Sequence, residues 1–470
     1  MTDAIVIGAG PVGLATAMLL AARDIDVTVL ERDDPPPDGP RDAWESWERR
    51  SVTQFHQVHF LQAGGRAVLE ARLPAVVDEL RAVGAVRWNM IAGLGRLLPD
   101  GPVTDGFEQF ETITTCRRPV LELAFAKAAA GTPRVCVRHN VTVSELTVGT
   151  AVLANVPHVT GVRTSTGETF GADIVIDAAG RRSPVGRMLA DLGGPAPDQR
   201  AEEFGFVYNT QLYRGDALPE LGGDALAALG SISVLTMPGD DGHWAVTLYH
   251  LPQDKQMRKV RDPAVFERVV RSLPLHAHWA DGQRIGTVAT MASTTNSSRS
   301  FVRNDGPVAT GLVPVGDAWG FTNPSLGRGI TLGLLHAVDV ADVVADEISD
   351  PAALARRWAK VTEERAAQWH EATVQFDRIR GPEAEAALLG LDDPHDPADL
   401  SVAGFRAFDS ARHYDAEVLR WFGEQASCIS LPMEVASRPG VFARVLEVAS
   451  HNPPYRTPAP SRTELEALLA

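Results

Sequence analysis

The segment from Ile5 to Arg32 limits the possible folds more than any other part of the chain. It reads IVIGAGPVGLATAMLLAARDIDVTVLER: an apolar run, a glycine-rich turn, an Ala/Leu-rich helical run and a second apolar run ending at Glu31. Strand, glycine turn, helix and strand in this order form half of a dinucleotide-binding unit. One glycine permits the tight turn, one lets the backbone approach a pyrophosphate, and one lets helix and strand pack closely.

This turn supplies the first candidate binding residues. Free N–H groups at the start of the helix attract a pyrophosphate. Glu31 lies 18 residues after Gly13, where an acid can accept hydrogen bonds from both ribose hydroxyls. The candidates are Gly8, Gly10, Pro11, Val12, Gly13, Glu31 and Arg32. The segment alone leaves open which dinucleotide binds.

Composition excludes several classes of protein. A chain of 470 residues suggests two or three domains, and a net charge of −16 argues against nucleic acid and anionic membranes as partners. The three cysteines form neither a CxxC motif nor a Cys/His cluster, which favours isolated thiols in a reducing compartment and no metal site. No run approaches the roughly 18 apolar residues of a membrane span. A strand beginning near residue 4 leaves no room for a signal peptide, so we expect a cytoplasmic protein.

The hydrophobic pattern predicts an α/β fold with three regions. The run Ile174 to Ile176 is apolar on both faces, as in a buried parallel sheet. Residues 204–300 alternate in polarity, which predicts an antiparallel sheet interrupted by one helix at 263–272. Residues 86–115 are interpreted as several short strands, and residues 451–461 as an exposed tail segment. We therefore predict a Rossmann-like domain (1–85, 111–190 and 301–380), an inserted, mainly antiparallel β-sheet substrate domain (86–110 and 191–300), and a C-terminal helical region (381–470).

Two further motifs follow the first. They are Asp173-x-x-x-Asp177-Ala-Ala-Gly180-Arg181-x-Ser183, and Gly316-Asp317-Ala318 followed by Pro324-x-x-Gly327-x-Gly329. The three motifs in this order resemble the single-Rossmann FAD-dependent monooxygenases, the family that includes p-hydroxybenzoate hydroxylase. The resemblance covers about residues 1 to 380 and implies that the Rossmann-like domain is an FAD-binding domain of the glutathione-reductase type. Since no second GxGxxG follows a strand, the sequence does not resemble monooxygenases of the Baeyer–Villiger type, which have two nucleotide domains.

The resemblance implies a position for each part of FAD. Asp317, after Gly316, would hydrogen-bond the ribityl chain. The segment from Pro324 to Gly329, here called the 324–329 turn, would run along the isoalloxazine, where Gly327 and Gly329 permit a close backbone approach. The following helix N-terminus would stabilise the anionic reduced ring. The remaining candidates from these motifs are Asp177, Gly180, Arg328 and Ile330.

Arginines outside the motifs are further candidates. Arg118 resembles the residue that leads a helix towards the FAD phosphates in this family, with Arg117 as the competing assignment and a surface ion pair as the alternative. Arg49 would lie over the cofactor from the loop after the second strand. Gln54 and His59 are either beside the flavin or buried and satisfied by the backbone.

Departures from the usual motifs favour one branch of the family. The middle motif carries Ala179-Gly180 where aromatic hydroxylases usually carry Asp-Gly, and Thr331 stands where they carry Asn. These forms are more similar to the alkene-acting branches, which are the polyether, styrene and squalene epoxidases and the geranylgeranyl reductases. The Trp-x-Arg-x-x-Val-x-Gln-x-x-x-x-His spacing from Trp47 to His59 is most similar to the polyether epoxidases. The Trp-x-Trp-x-Ile-Pro signature of flavin-dependent halogenases is absent.

The expected activity is transfer of one oxygen atom from O2, through a flavin C4a-hydroperoxide, to a hydrophobic, natural-product-like substrate by epoxidation or hydroxylation. Electrons would come from NAD(P)H or from a separate flavin reductase. No side chain is assigned to acid–base catalysis, because the protein's work is to position the substrate and exclude water. Phe206, Trp244 and Tyr249 are candidate cavity walls or sheet-core residues. The alternatives are an FAD-dependent reductase or dehydrogenase of a prenyl-type or alkene substrate, and a redox-sensing flavoprotein.

Overall fold

A five-stranded parallel sheet lies at the centre of the computed structural model, which describes residues 2–303 and 306–470. Its strands stand in the order Leu312–Pro314, Ile174–Asp177, Asp3–Ile7, Asp26–Leu30 and Val135–Arg138. All four pairings are parallel. The three sequence motifs follow three neighbouring strands, so they meet at the carboxyl edge of the sheet, where α/β sheets bind ligands.

Helices cover this sheet closely. Helix Pro11–Ala21 is buried along almost its whole length and packs against helix Gly329–Glu347. A methyl group on Gly333 would lie 2.3 Å from Val12 Cγ2, so glycine is required at this helix contact. The buried strands and the covering helices confirm the predicted α/β class.

A six-stranded antiparallel sheet forms the second layer of the molecule. Its strands stand in the order Leu226–Leu229, Ile232–Pro238, His243–His250, Asp198–Arg214, Gln283–Ser300 and Gly320–Phe321. Helix Pro263–Arg271 packs on one face, with Phe266 and Trp279 in the shared core. This confirms the sheet and the helix that the alternating pattern predicted for residues 204–300.

The remaining elements are shorter. A three-stranded antiparallel sheet contains Thr169–Gly171, Val159–Thr164 and Val143–Val148, and the two-stranded pairs are Val58–His59 with Cys116–Arg117, Val86–Trp88 with Thr112–Thr114, and Val302–Arg303 with Gly306–Pro307. The other helices are Pro40–Glu45, Ala63–Arg72, Pro74–Ala82, Met90–Gly95, Arg118–Ala130, Val185–Asp191, Pro351–Glu364, Ala366–Leu389, Leu400–Ala411, Ala416–Ala426, Pro432–Ala436, Val441–His451 and Arg462–Leu468. In residues 2–303 and 306–470, no helix is long and apolar enough to cross a membrane.

Residues 86–115 differ from their prediction. One strand, Val86–Trp88, is followed by helix Met90–Gly95, whose first turn is capped by the Asn89 side chain accepting from Ala92 N–H at 2.9 Å. Ile91 and Leu94 lie on the same side of this helix and pack with Phe107 and Phe110. Short strands are present at the two ends of this region, where Val86–Trp88 pairs with Thr112–Thr114. Between them the spacing of the apolar residues is helical, so the interpretation as short strands was wrong there.

The C-terminal helices pack on both other regions. Helix Ala366–Leu389 runs through the predicted boundary at residue 380, and the division of the chain into domains stays a prediction. Residues 452–461 are irregular and exposed or half-buried, as predicted, but they do not form a tail. The chain continues from them into further regular structure. It leads to helix Arg462–Leu468, which buries Leu465 in the core of the antiparallel sheet and accepts a hydrogen bond at Leu468 O from Arg268 Nε.

Candidate active site

One continuous cavity runs from the first glycine turn, past the 324–329 turn, to the antiparallel sheet. Most of the predicted binding residues lie in its wall. They are Gly8, Gly10, Pro11, Val12, Gly13, Glu31, Arg32, Arg49, Arg118, Gly180, Asp317, Pro324, Gly327, Arg328, Gly329 and Ile330. The other two candidates, Asp177 and Gly316, lie behind the wall and shape it.

The glycines of the first turn are required for different reasons. Gly8 has a φ of +104°, and a Cβ there would lie 2.7 Å from Ala178 O. A Cβ on Gly13 would lie 2.1 Å from Gly8 O. A Cβ on Gly10, by contrast, meets nothing within 4 Å in the described structure and would project into open space. Protein packing therefore explains Gly8 and Gly13, whereas Gly10 leaves space for a ligand against the helix N-terminus.

A buried ionic cluster lies at the predicted ribose end of the cavity. Glu31 accepts from Ala9 N–H at 2.7 Å and from Arg49 Nη2 at 2.6 Å. Arg49 also donates to Glu122 at 2.9 Å and to Asp33 at 3.2 Å. Burial alone would lower the pKa of Arg49, but the three carboxylates raise it. Arg49 is therefore charged and holds three carboxylates together beside the cavity.

The two adjacent arginines at the start of helix Arg118–Ala130 point in different directions. Arg117 is buried against Asp240, with which it forms an ion pair, and it does not line the cavity. Arg118 lines the cavity and donates to Glu122 at 2.6 Å. Its Nη1 lies 3.0 Å from His59 Nε2. Burial and the Arg118 charge lower the pKa of His59 to about 3, so this imidazole is neutral and accepts from Arg118.

The middle motif forms the floor of the cavity. The Asp177 carboxylate accepts from Ser183 Oγ at 2.6 Å and from Ala179 N–H at 3.1 Å, which fixes the turn that presents Gly180. Burial raises the pKa of Asp177 to about 6 despite these hydrogen bonds. Arg299, which the sequence did not single out, donates to Ala318 O at 2.5 Å and Arg181 O at 2.9 Å. It thus joins the floor to the Gly316–Ala318 turn.

A buried histidine supports the turn that carries Asp317. Gly316 N–H donates to His336 Nδ1 at 3.2 Å, so the imidazole proton lies on Nε2, 3.1 Å from Thr362 Oγ1. Burial lowers the pKa of His336 to about 3, which keeps this ring neutral. Gly316 adopts a φ of +58° and its neighbour Asp317 lines the cavity. Both features fit a fixed carboxylate beside a bound ligand.

The 324–329 turn is held from two sides. Gly327 has a φ of +60°, and a Cβ there would lie 2.8 Å from Phe60 Cε1, whereas a Cβ on Gly329 meets nothing within 4 Å among the described residues. Arg328 donates to Gln425 O at 2.9 Å and lies 5.5 Å from the centre of the Trp369 ring. Motif reasoning missed Gln425, because this C-terminal contact lies nearly 100 residues further along the chain.

The antiparallel sheet supplies a neutral wall. Its side chains in the cavity are Tyr208, Leu235, Met237, Thr247, Tyr249 and Met291. Tyr208 and Tyr249 stack with ring centres 5.2 Å apart, and burial raises the pKa of Tyr249 to about 12. Trp244 and Phe206 lie in the sheet core. Of the three wall candidates, only Tyr249 lines the cavity.

The residues present fit an FAD molecule. Gly10 and Gly329, where an added Cβ would meet no protein atom within 4 Å in the described structure, lie at the two ends of the path that FAD would follow. Between them lie the carboxylate of Asp317 and the floor at Gly180. The Nε of buried Arg328 has no hydrogen-bond partner among the described residues. The same residues show no group of three or more His, Cys, Asp or Glu that could hold a metal ion.

Comparison with known proteins gives a family and a fold. Residues 1–376 match the family described as FAD binding domain. No curated protein matches the chain significantly.

Three solved structures illustrate the similarity of fold. PqsL, a probable FAD-dependent monooxygenase from Pseudomonas aeruginosa, is 16% identical, with a TM-score of 0.59 over 82% of this chain and 96% of PqsL. The anhydrotetracycline hydroxylase OxyS from Streptomyces rimosus is 16% identical, with a TM-score of 0.57 over 91% of this chain and 76% of OxyS. A flavoprotein/dehydrogenase from Cytophaga hutchinsonii is 16% identical, with a TM-score of 0.62 over 96% of this chain and 98% of that protein.

Proposed function

Since the chain belongs to the FAD-binding domain family of p-hydroxybenzoate hydroxylase-like, flavin-dependent monooxygenases, we propose that it transfers one oxygen atom from O2 to a hydrophobic, natural-product-like substrate. The cofactor is FAD. The observation that carries the proposal is the single cavity that joins the nucleotide turn to the neutral sheet wall. A substrate on this wall would lie next to the 324–329 turn, where the family resemblance puts the isoalloxazine.

The wall favours an uncharged, mainly apolar substrate. Five of its six side chains, all except Thr247, are aromatic, aliphatic or thioether groups. Both tyrosines are neutral near pH 7, since burial raises the pKa of Tyr208 well above its usual value and that of Tyr249 to about 12. A charged substrate would lose its hydration here without gaining a partner from the sheet, which is costly.

The protein's own contribution would be positioning and exclusion of water. When bound and reduced, FAD supplies the activation of O2. The ionic cluster around Arg49 would hold the adenosine side, Asp317 would hold the chain between nucleotide and ring, and the helix N-terminus after Gly329 would stabilise negative charge on the ring. His59 is neutral and already accepts from Arg118, so it is not available as a general base.

The oxygen-transferring step is either epoxidation or hydroxylation. The motif forms Ala179-Gly180 and Gly329-Ile330-Thr331 support epoxidation of an alkene, and the hydroxylase OxyS shares the fold. PqsL, for comparison, has been crystallised with 2-aminobenzoylacetate, a small aromatic molecule.

Labelled oxygen tests the proposal. The FAD-bound protein is first mixed with NADH or NADPH, and flavin bleaching is followed by stopped flow. A flavin reductase is added if neither reduces it. Reduced protein is then given ¹⁸O2 with geranyl acetate as an alkene probe or 1-naphthol as an arene probe. We expect one ¹⁸O atom in the product by mass spectrometry.

The same experiment separates the rival activities. A product that forms equally without O2 would replace the proposal with the reductase or dehydrogenase alternative. Asp317→Ala serves as the cofactor control, because a variant that retains full yellow occupancy would contradict the position assigned to FAD.

A further inference from the structure

A buried carboxylate lies directly behind the 324–329 turn. Asp377, on helix Ala366–Leu389, is 1% exposed and is the residue next to the end of the family match at residue 376. Its Oδ1 accepts from Ser325 Oγ at 3.1 Å and from Asn323 Nδ2 at 3.4 Å, and its Oδ2 accepts from Asn296 Nδ2 at 3.0 Å. These donors come from the turn, from the residue just before it, and from the long strand Gln283–Ser300.

The orientation of both amides is fixed by their other partners. Asn323 N–H donates to Asn296 Oδ1 at 2.5 Å, so the NH2 group of Asn296 must face Asp377. Tyr208 Oη donates to Asn323 Oδ1 at 2.5 Å, so the NH2 group of Asn323 also faces Asp377. All three neighbours donate hydrogen bonds to Asp377. The ionised carboxylate, which only accepts hydrogen bonds, suits these donors better than the protonated acid, which would also have to donate one. Burial raises the pKa of Asp377 to about 6, which leaves it ionised at pH 7 and above.

The network joins the substrate wall to the cofactor turn. Tyr208 lines the cavity from strand Asp198–Arg214, and Asn323 and Ser325 stand on either side of Pro324. Asn296, Asn323 and Ser325 are each no more than 3% exposed, so water does not compete for these bonds. In such buried surroundings, a hydrogen bond to an ionised acceptor is stronger than one between neutral groups.

We propose that Asp377 is a positioning residue that holds the 324–329 turn in the conformation that receives the flavin ring, and that Tyr208 acts on the same turn through Asn323. Asp377 does not touch the cofactor; it acts through Ser325 and Asn323. The proposal rests on the FAD site alone and not on which reaction follows.

The experiment compares matched variants of the full chain by anaerobic titration of the apoprotein with FAD. Asp377→Asn puts an NH2 group against converging donors, and we expect its Kd for FAD to rise about tenfold, with a changed visible spectrum of the bound flavin. The exchanged pair Asp377→Asn with Asn323→Asp restores one carboxylate and one amide, and should return both the Kd and the spectrum towards wild type. Asp339→Asn is the control, because Asp339, on helix Gly329–Glu347, is also buried but forms its ion pair with Arg365.

Tyr208→Phe tests the second arm. It should weaken FAD binding about threefold, and less than threefold in the Asp377→Asn background, because the two residues act on the same turn. If Asp377→Asn does not fold, Ser325→Ala takes its place, with an expected loss of about threefold.

Wild-type affinity and spectrum in the variants would overturn the proposal, as would an exchanged pair that folds but stays as weak as Asp377→Asn. No oxygen or substrate is present. A failure here is therefore distinct from a failure of the proposed oxygen transfer.

Discussion

The two ends of the cavity are built from opposite materials. At the nucleotide end, Arg49 and Arg118 share the carboxylates of Glu31, Asp33 and Glu122 within hydrogen-bond distance. At the sheet end, the wall consists of tyrosine, methionine, leucine and threonine, and the network behind it contains one carboxylate with three neutral donors. The comparison teaches that one end of the cavity is lined by paired charges, whereas the other is lined by neutral side chains and has its one carboxylate behind the wall.

The largest expected effect comes from breaking the ionic cluster. Arg49→Met leaves three buried carboxylates without their shared cation, which should lower the free energy of unfolding by about 3–5 kcal/mol. Urea denaturation of the apoprotein measures this. Arg41→Met is the control, because Arg41 and its partner Glu45 are exposed and their pair is worth less than about 1 kcal/mol. Equal stability of the two variants would contradict the claim that the buried ionic cluster stabilises the fold more than an exposed ion pair does.

The first turn separates the needs of the ligand from those of the fold. Gly10→Ala meets no protein atom within 4 Å, so it should leave the apoprotein stable but weaken FAD binding roughly 100-fold. Gly13→Ala is the matched variant, since its Cβ would lie 2.1 Å from Gly8 O and should destabilise the apoprotein as well. Thermal unfolding and FAD titration are measured for both. Unchanged FAD affinity in Gly10→Ala would show that the nucleotide path lies elsewhere.

Asp177, in the floor between the two ends, should make the stability of the protein depend on pH. The pKa of Asp177 is about 6 in the folded protein, above its ordinary 3.8, so the folded state binds a proton that the unfolded state has released. Its contribution to stability is therefore fully present below pH 4 and is lost as pH rises through 6. As the pH rises from 4 to 7, the free energy of unfolding of Asp177→Asn should therefore increase relative to that of the wild type by roughly 1–3 kcal/mol. The measurement is urea denaturation of both proteins at each pH. A constant difference in free energy of unfolding between them from pH 4 to pH 7 would contradict this prediction.

The smallest effect is expected at the neutral wall. Met291→Gln places an amide among apolar side chains, which should admit water and raise the hydrogen peroxide released per reduced flavin about two- to fivefold, on the order of 1 kcal/mol at the barrier. Met433→Gln, at a side chain that is 76% exposed, is the control. A wall that tolerates Met291→Gln without added peroxide would not be the surface that excludes water.

The sequence predicted the parts of this molecule that local patterns specify. The three motifs stand at the ends of neighbouring parallel strands, which follows from strand, turn and helix signals within short segments. The antiparallel sheet followed from its alternation. Period-two alternation also shows why Trp244 and Tyr249 cannot both line the cavity, since residues five apart in one strand lie on opposite faces.

The parts that escaped prediction depend on distant partners. Arg299, Asp377 and Gln425 reach the site from a strand and two helices that carry no motif. The choice between Arg117 and Arg118 depends on Asp240, more than 100 residues away. The short helix Met90–Gly95 could have been found, because Asn89 before spaced apolar residues is a capping signal.

The strand order of the parallel sheet determines when the sheet can be completed during synthesis of the chain. Leu312–Pro314 must insert beside Ile174–Asp177, and five of the six strands of the antiparallel sheet are synthesised between them. At about 5–20 residues per second this separation corresponds to roughly 7–30 s, during which the edge of Ile174–Asp177 has no partner. Asp317 and the 324–329 turn emerge later still. The nascent chain therefore contains the first glycine turn long before the other segments of the cavity wall exist, and a ligand that contacts all of them can bind only after they have been made.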